Sequence, residues 1–179
     1  AKREAVRYDG IVIPGMLPPL LARAGGPAVA TGEALKGKIV ALYFSAAWCP
    51  ACQRFSPLMR QLYDDAALQK LPLEVVFVSS DRSAQEMQSY MDDKHGSWLS
   101  VPFECPERST LKQRYGCFAG AEKSNFPGVD RLSGIPALVI INQDGEKLQL
   151  LDCDEGPSLS ALKTKGVEVF KEWASYAWK

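Results

Sequence analysis

The sequence predicts an α/β domain, a three-layer sandwich in which a central mixed β-sheet is flanked by helices. Near-continuous apolar runs at 39–44, 73–78 and 137–142 are typical of strands covered on both faces. A helical apolar pattern follows the first run, and turn residues after the third predict an antiparallel hairpin. A chain of 179 residues can form one hydrophobic core, so we expect a single domain over residues 1–179.

The first 32 residues are interrupted by proline and glycine. Four prolines and four glycines fall before residue 28, which leaves room for one short strand near 11–13. We therefore expect 1–32 to be an irregular N-terminal extension.

A strand–helix–strand–helix order follows. The run at 39–44 reads as the central strand, and an amphipathic helix begins after Cys49, with apolar residues at helical spacing: Phe55, Leu58, Met59 and Leu62. The run at 73–78 is a second strand. Either Asp81 or Ser83 can then cap a helix running to about residue 91.

The second half is less regular. We expect a short extended piece at 101–103, one or two helical turns at 109–115 and a surface loop insertion at 116–133, because the loop mixes glycines and charges without periodicity. The hairpin follows, formed by 137–142, a turn and 147–151. Apolar and aromatic residues in 157–179 predict a C-terminal helical segment.

Charge and hydropathy exclude two classes of partner. Twenty-one basic residues balance twenty-one acidic ones, which argues against nucleic acid and against an anionic membrane surface. The longest apolar runs are also far shorter than the roughly 20 residues that span a bilayer.

The cysteine count argues against a secreted disulfide framework. Five is an odd number, and a chain of this length does not need covalent staples. We therefore expect a reducing setting, the cytoplasm first, with the nucleus or a mitochondrion as alternatives. Cys105, Cys117 and Cys153 are isolated in sequence and read as small buried hydrophobes.

The motif that carries chemistry is Cys49-Pro50-Ala51-Cys52. It lies where a buried strand turns into a helix, so Cys49 meets the free N–H groups of the helix start, which stabilise a thiolate. Pro50 suits the first helical position. Cys52 lies one turn on, mostly covered, where it can resolve a mixed disulfide on Cys49.

Two other interpretations of the cysteine pair are weaker. A zinc site needs further ligands, and neither a second Cys-x-x-Cys nor a Cys-His pair exists; the single histidine, His95, falls in a polar loop. Inert buried thiols are possible, but Trp48 and the strand-to-helix context favour redox chemistry. For Ile135-Pro136, just ahead of the third apolar run, the residues alone favour an ordinary trans bond.

The chain resembles the tryparedoxin and nucleoredoxin branch of the thioredoxin superfamily. The resemblance covers about 110 residues, 35–145, through LYFSAAWCPAC at 42–52, EVVFVSSDRS at 74–83, WLSVPF at 98–103 and GIPAL at 134–138. It implies a thioredoxin-like fold, with Cys49 as nucleophile and Cys52 as resolving thiol. It also implies that Pro136 is cis beside the sulfurs, that Ile135 offers backbone hydrogen bonds to substrate, and that Pro57 is the helix-kinking proline.

Four departures from that family are visible. Ala51 replaces a second proline, which bears on reduction potential. Tyr43 stands where thioredoxins proper carry a buried Asp, so Cys52 must lose its proton by another route such as water. The 116–133 loop is longer than expected and leads into Pro136, so it either influences partner choice or is a solvated insertion with no role. Lys94-His95-Gly96-Ser97 replaces the usual Met-Pro before Trp98.

The resemblance implies a reductase that needs no metal or other cofactor beyond a redox-active Cys49–Cys52 disulfide. Its donor would be a small dithiol such as trypanothione, or a flavoprotein reductase, and its acceptor a peroxiredoxin or glutathione-peroxidase-like peroxidase. A nucleoredoxin-like, redox-sensitive binding module is the alternative from another class. A disulfide-forming oxidase is disfavoured, since three further cysteines would face oxidation. We expect a monomer.

Overall fold

The computed structural model describes the backbone of residues 6–8 and 11–13 and all of residues 16–179. The strands are β1 (Val6–Tyr8), β2 (Ile11–Ile13), β3 (Leu20–Arg23), β4 (Val29–Ala30), β5 (Ile39–Ser45), β6 (Leu73–Ser79), β7 (Leu99–Ser100), β8 (Ala137–Ile141) and β9 (Lys147–Asp152). The helices are α1 (Thr31–Leu35), α2 (Pro50–Leu68), α3 (Ala84–Lys94), α4 (Glu107–Tyr115), α5 (Gly156–Lys165) and α6 (Glu168–Lys171), with 3-10 helices at Gly120–Asn125 and Ala174–Tyr176.

Among the described residues, seven strands form one mixed sheet in the order β4-β3-β7-β6-β5-β8-β9. Strand β5 is central, parallel to β6 and antiparallel to β8, and β9 follows β8 as the predicted hairpin. The order brings the carboxyl ends of β5 and β6 together. The start of β8 lies beside the end of β5, since Phe44 pairs with Ala137.

Alternate residues of β5 face two separate apolar layers. Val40, Leu42 and Phe44 pack into one layer, which includes Leu111 of α4, and Ile39, Ala41 and Tyr43 pack into the other with the buried face of α2. Helices thus cover both faces, as the continuous apolar run predicts, and the fold is thioredoxin-like. Within residues 16–179, no helix is both long enough and apolar enough to cross a membrane.

The prediction of an irregular N-terminal extension over 1–32 is wrong for its second half. Strands β3 and β4 extend the sheet beyond β7, and α1 begins at Thr31. The strand expected near 11–13 is present as β2, which pairs with β1. Expectations for residues 1–5, 9–10 and 14–15 lie outside the described residues. Strand β3 owes its conformation to pairing with distant β7, Ala22 opposite Ser100, which local sequence does not reveal.

Smaller differences concern β7 and α3. The extended piece expected at 101–103 is instead strand β7, two residues earlier, where it completes the parallel ladder with β6. Helix α3 runs three residues further than predicted, to Lys94. Ser83 rather than Asp81 caps it, since its hydroxyl accepts the Glu86 N–H at 3.1 Å.

The 116–133 segment is not an aperiodic surface loop throughout. It contains a 3-10 helix at Gly120–Asn125, and the rings of Phe118 and Phe126 are buried against each other with centroids 4.6 Å apart. Its two ends meet in a bridge between Cys117 and Ser133. The insertion therefore has its own small apolar contact. The sequence does not predict it, because the spacing of the two phenylalanines matches no regular element.

Candidate active site

Cys49 lies at the junction between the central strand and helix α2. It is the N-cap residue of α2, with extended backbone, and Pro50 is the first helical residue, as predicted. The Cys49 Sγ accepts the backbone N–H of Cys52 at 3.4 Å. A sulfur placed this way receives a free N–H of the first turn and the positive end of the helix dipole, and both stabilise a thiolate.

The two sulfurs have different environments. Cys52 is fully buried, and this burial raises the pKa of its thiol well above the ordinary value; its hydrogen bond with Cys49 raises the pKa further. Cys49 is itself largely covered, with only 7% of its surface accessible. Neighbouring apolar residues, including Ala46 and Ile135, cover the rest. Attack on a substrate must therefore pass through a narrow opening at Cys49.

The Ile135-Pro136 peptide bond is cis, which confirms the implication of the family resemblance against the ordinary trans preference. The Ile135 carbonyl lies 3.7 Å from the Cys49 Sγ and accepts its thiol hydrogen. The Pro136 carbonyl accepts the N–H of Cys153 at 3.1 Å, at the end of β9. The cis-proline turn thus forms one wall beside the sulfur.

The loop ahead of Cys49 is held by the end of β6. Asp81 accepts the Ala47 N–H through Oδ1 at 2.7 Å, and the Trp48 indole N–H donates to the Ser80 carbonyl at 2.9 Å. Burial raises the pKa of the Asp81 carboxyl. The Arg82 guanidinium lies 4.9 Å from the centre of the Trp48 ring. The indole therefore has a fixed position beside the nucleophile.

Hydroxyl groups, and no carboxylate, occupy the interior behind Cys52 among the described residues. Tyr43 is fully buried, its hydroxyl lies near Ser45 and Tyr90, and burial raises its pKa well above the ordinary value. Nearby, the Tyr90 hydroxyl lies 2.8 Å from the Ser45 Oγ and 2.9 Å from the Ser56 Oγ. Ser56 in turn donates to the Cys52 carbonyl at 2.8 Å.

The other predicted support residues flank the motif without touching the sulfurs by hydrogen bonds. Ala51 is half-buried and lines a cavity of about 130 Å³, together with Cys153 and Leu159. Pro57 lies in the interior of α2 and is exposed; it has no N–H to give to the carbonyl four residues earlier.

The remaining cysteines are mostly as expected. Cys117 and Cys153 are buried, and burial raises the pKa of both thiols, that of Cys117 to about 12. Cys105 is only half-buried, and burial raises its pKa as well. Cys117 and Cys153 lie outside the helices, and Cys105 lies two residues before the first residue of α4.

The placement of His95 in a polar loop is wrong. His95 caps the end of α3, is buried, and packs against four aromatic rings: Tyr43, Phe77, Tyr90 and Trp98. Burial lowers its pKa to about 3. Across the described part of the chain, no three His, Cys, Asp or Glu side chains are grouped so as to hold a metal ion.

Sequence reasoning missed the groups that hold the site from a distance. Asp81 was considered only as a helix cap, and the contacts of Ser45, Ser56 and Tyr90 were not foreseen. A usable signal existed for Asp81, because polar residues at the carboxyl ends of adjacent parallel strands meet at one sheet edge. No local pattern joins Tyr90 to Ser45, which lies 45 residues away.

The chain is similar in sequence to known proteins. The family model described as thioredoxin-like matches residues 37–147. The chain is 35% identical over 125 residues to tryparedoxin of Trypanosoma brucei brucei, which covers 70% of this chain and 73% of that protein. It is 27% identical over 146 residues to probable nucleoredoxin 1 of Arabidopsis thaliana, covering 82% of this chain but 22% of the relative.

Solved structures give the same answer. Tryparedoxin from Trypanosoma brucei superposes with a TM-score of 0.62 at 26% identity, covering 87% of this chain and 94% of that one. Thioredoxin from Wuchereria bancrofti gives 0.64 at 28% identity, covering 89% and 96%. The chain belongs to the thioredoxin-like family of thiol-disulfide oxidoreductases. Within that family it belongs to the tryparedoxin and nucleoredoxin branch. It spans between a fifth and about a third of the length of the first nucleoredoxins it matches.

Proposed function

We propose that this chain is a protein-disulfide reductase that works through the Cys49–Cys52 dithiol. The observation that carries the proposal is the position of the Cys49 sulfur. It lies at the start of α2, 3.4 Å from the Cys52 N–H and 3.7 Å from the carbonyl that precedes the cis-proline. The helix start can stabilise a thiolate on this sulfur, and a second sulfur lies one helical turn behind it.

The proposed cycle has two thiol-disulfide exchanges. The Cys49 thiolate attacks one sulfur of a substrate disulfide, forms a mixed disulfide and expels the other substrate sulfur as a thiolate. Cys52 then gives up its proton and attacks the Cys49 sulfur. The second substrate thiol leaves, and a Cys49–Cys52 disulfide remains. A donor dithiol reverses these steps, so two electrons pass from donor to substrate.

We propose a small dithiol such as trypanothione, or a flavoprotein reductase, as the donor. A peroxiredoxin or a glutathione-peroxidase-like peroxidase is the proposed acceptor. Similarity to tryparedoxin over 70% of the chain supports this choice, and so does the Cys-x-x-Cys site. The five free thiols fit a reducing compartment such as the cytoplasm.

The second candidate is a redox-sensitive binding module of the nucleoredoxin kind. It is favoured by the similarity to several nucleoredoxins, such as 31% identity over 116 residues to the Danio rerio protein. In that case the oxidation state of Cys49 and Cys52 would switch a protein contact. Catalytic turnover separates the two candidates.

A parallel donor assay tests the proposal. The oxidised chain is mixed with trypanothione, with glutathione and with thioredoxin reductase plus NADPH, and then with an oxidised peroxidase. We expect one donor to support repeated peroxidase reduction, with none in the Cys49→Ser variant. Binding of a partner without turnover under every donor would favour the module instead.

A further inference from the structure

The insertion between α4 and β8 places one mostly buried carboxylate against the body of the domain. Glu122, in the 3-10 helix at Gly120–Asn125, is 17% exposed and accepts three hydrogen bonds. Lys112 donates to Oε1 at 2.5 Å, while Ser80 and the Ala119 N–H donate to Oε2 at 2.7 and 2.9 Å. Two of these donors lie outside the insertion, on α4 and after β6. The carboxylate therefore joins three segments of the chain.

Lys112 makes this attachment difficult to release. Its side chain is only 2% exposed, and burial lowers the pKa of its ammonium group, while the neighbouring Glu122 carboxylate raises it. A buried ammonium without a counterion is strongly unfavourable, so Lys112 holds Glu122 in place. The insertion is consequently tied to the body of the domain rather than free to move as a loop.

Ser80 connects that pair to the active site. Its hydroxyl donates to Glu122, and its carbonyl accepts the Trp48 indole N–H at 2.9 Å. Its own N–H donates to the Ser45 carbonyl at 2.9 Å, at the end of β5. A continuous path of hydrogen bonds thus runs from Glu122 through Ser80 to the residue that precedes the nucleophile.

We propose that Glu122 is a positioning residue for the active site, and that the insertion braces Trp48 through Ser80. Cys49 shows only 7% of its surface, so a small displacement of the adjacent indole changes access to the sulfur. The inference deepens the proposed function, because it assigns a part in the reductase site to a segment that supplies no thiolate. Lys112 serves to hold Glu122.

The test measures the site without needing turnover. Glu122→Ala and Ser80→Ala are compared with Lys123→Ala, an exposed neighbour on the same 3-10 helix. Mass spectrometry follows the alkylation of each cysteine by iodoacetamide. The Trp48 contribution to fluorescence is obtained by subtracting the emission spectrum of the matching Trp48→Phe protein. In both variants, iodoacetamide should alkylate Cys49 at least about threefold faster than in the parent, and Trp48 emission should shift to the red. In a Trp48→Phe background, neither substitution should increase the rate of Cys49 alkylation further.

The controls separate positioning from loss of fold. Cys117 and Cys153 are buried, so their labelling reports unfolding. If Cys117 and Cys153 become labelled in Glu122→Ala, that variant has lost its fold. The test of the brace then rests on Ser80→Ala alone, because that substitution leaves the Lys112–Glu122 pair intact. An unchanged Cys49 rate, or an increase that persists in full without the Trp48 indole, overturns the brace. Failure of the parent chain to reduce the peroxidase would instead count against the reductase proposal. It would not bear on the brace, because alkylation does not depend on turnover.

Discussion

At the scale of single residues, Cys49 and Cys52 differ in burial and in their position relative to the start of α2. Cys52 is fully covered, and its raised pKa keeps it protonated until a mixed disulfide forms beside it. Cys49 keeps a narrow exposed face at a helix start. The proposed order of attack and resolution follows from these two positions.

The first prediction is that iodoacetamide at neutral pH labels Cys49 before any other cysteine. Cys52, Cys117 and Cys153 are buried with raised pKa values, and thiolates are the reactive species, so the rate at Cys49 should exceed theirs about tenfold or more. Peptide mass spectrometry over a time course gives the rates. Earlier labelling of Cys52 or Cys105 would reverse the assignment.

Part of this site can be predicted from residues adjacent in the chain. The Cys49-Pro50-Ala51-Cys52 motif, between an apolar strand and an amphipathic helix, identifies both sulfurs, and the family resemblance indicates the cis bond before Pro136. The hold of Asp81 on Ala47 could not be predicted, because it joins residues 34 apart. The small exposure of Cys49 depends on packing against distant Ile135.

At the scale of secondary-structure elements, the central strands were predictable and the edge strands were not. Strands β5, β6 and β8 are buried on both faces, so their sequences are almost entirely apolar. Strands β3, β4 and β7 have two to four residues; β4 pairs with nearby β3, whereas β3 and β7 also pair with strands farther along the chain. The pattern within such a short segment carries too little information.

The second prediction concerns the start of the insertion. Gly116 has φ 62°, and a Cβ there would collide with the Asp130 carbonyl and press on Leu132, whereas Gly128, with φ 74°, has open space around it. Gly128→Ala should lose about 1 kcal/mol of unfolding free energy for the left-handed conformation alone. Gly116→Ala should lose at least about 2 kcal/mol, because collision adds to conformation.

Urea unfolding of the two glycine variants makes the comparison. Both substitutions pay the same backbone cost, so the difference between them isolates the contact with 130–132. Equal losses of unfolding free energy would show that residues 130–132 move aside to accommodate the added Cβ at Gly116. That result would contradict close packing at the start of the insertion.

The third prediction follows from His95 at the end of α3. Burial lowers its pKa from 6.5 to about 3, so the unfolded chain binds a proton more readily than the folded one as pH falls between those values. The contribution of the buried neutral imidazole to the unfolding free energy is present in full above about pH 6.5 and is lost as the pH falls toward 3. Between pH 7 and pH 5 the loss amounts to about 2 kcal/mol.

Unfolding free energies of the parent and of His95→Leu at both pH values measure this contribution. The parent should lose about 2 kcal/mol more than the variant on acidification. Burial also raises the pKa of the Glu74 and Asp81 carboxyls, which has the opposite effect on stability, but both proteins share these groups. The same pH dependence in both proteins would mean that His95 does not titrate as a buried group.

At the scale of the whole molecule, the sheet order determines where the chemistry occurs. Central strand β5 delivers Cys49 to the sheet edge where β6 ends and β8 begins. The end of β6 holds Trp48, and the turn before β8 supplies the cis-proline wall.

The central claim is that Cys49 attacks a disulfide and Cys52 resolves the product. The most direct test incubates Cys52→Ser and Cys49→Ser with an oxidised peroxidase and follows intact mass under non-reducing conditions. Cys52→Ser should accumulate a covalent 1:1 mixed disulfide through Cys49, because attack proceeds without resolution, and Cys49→Ser should form none. Parental turnover by both variants, or a complex that forms only through Cys52, would contradict the claim.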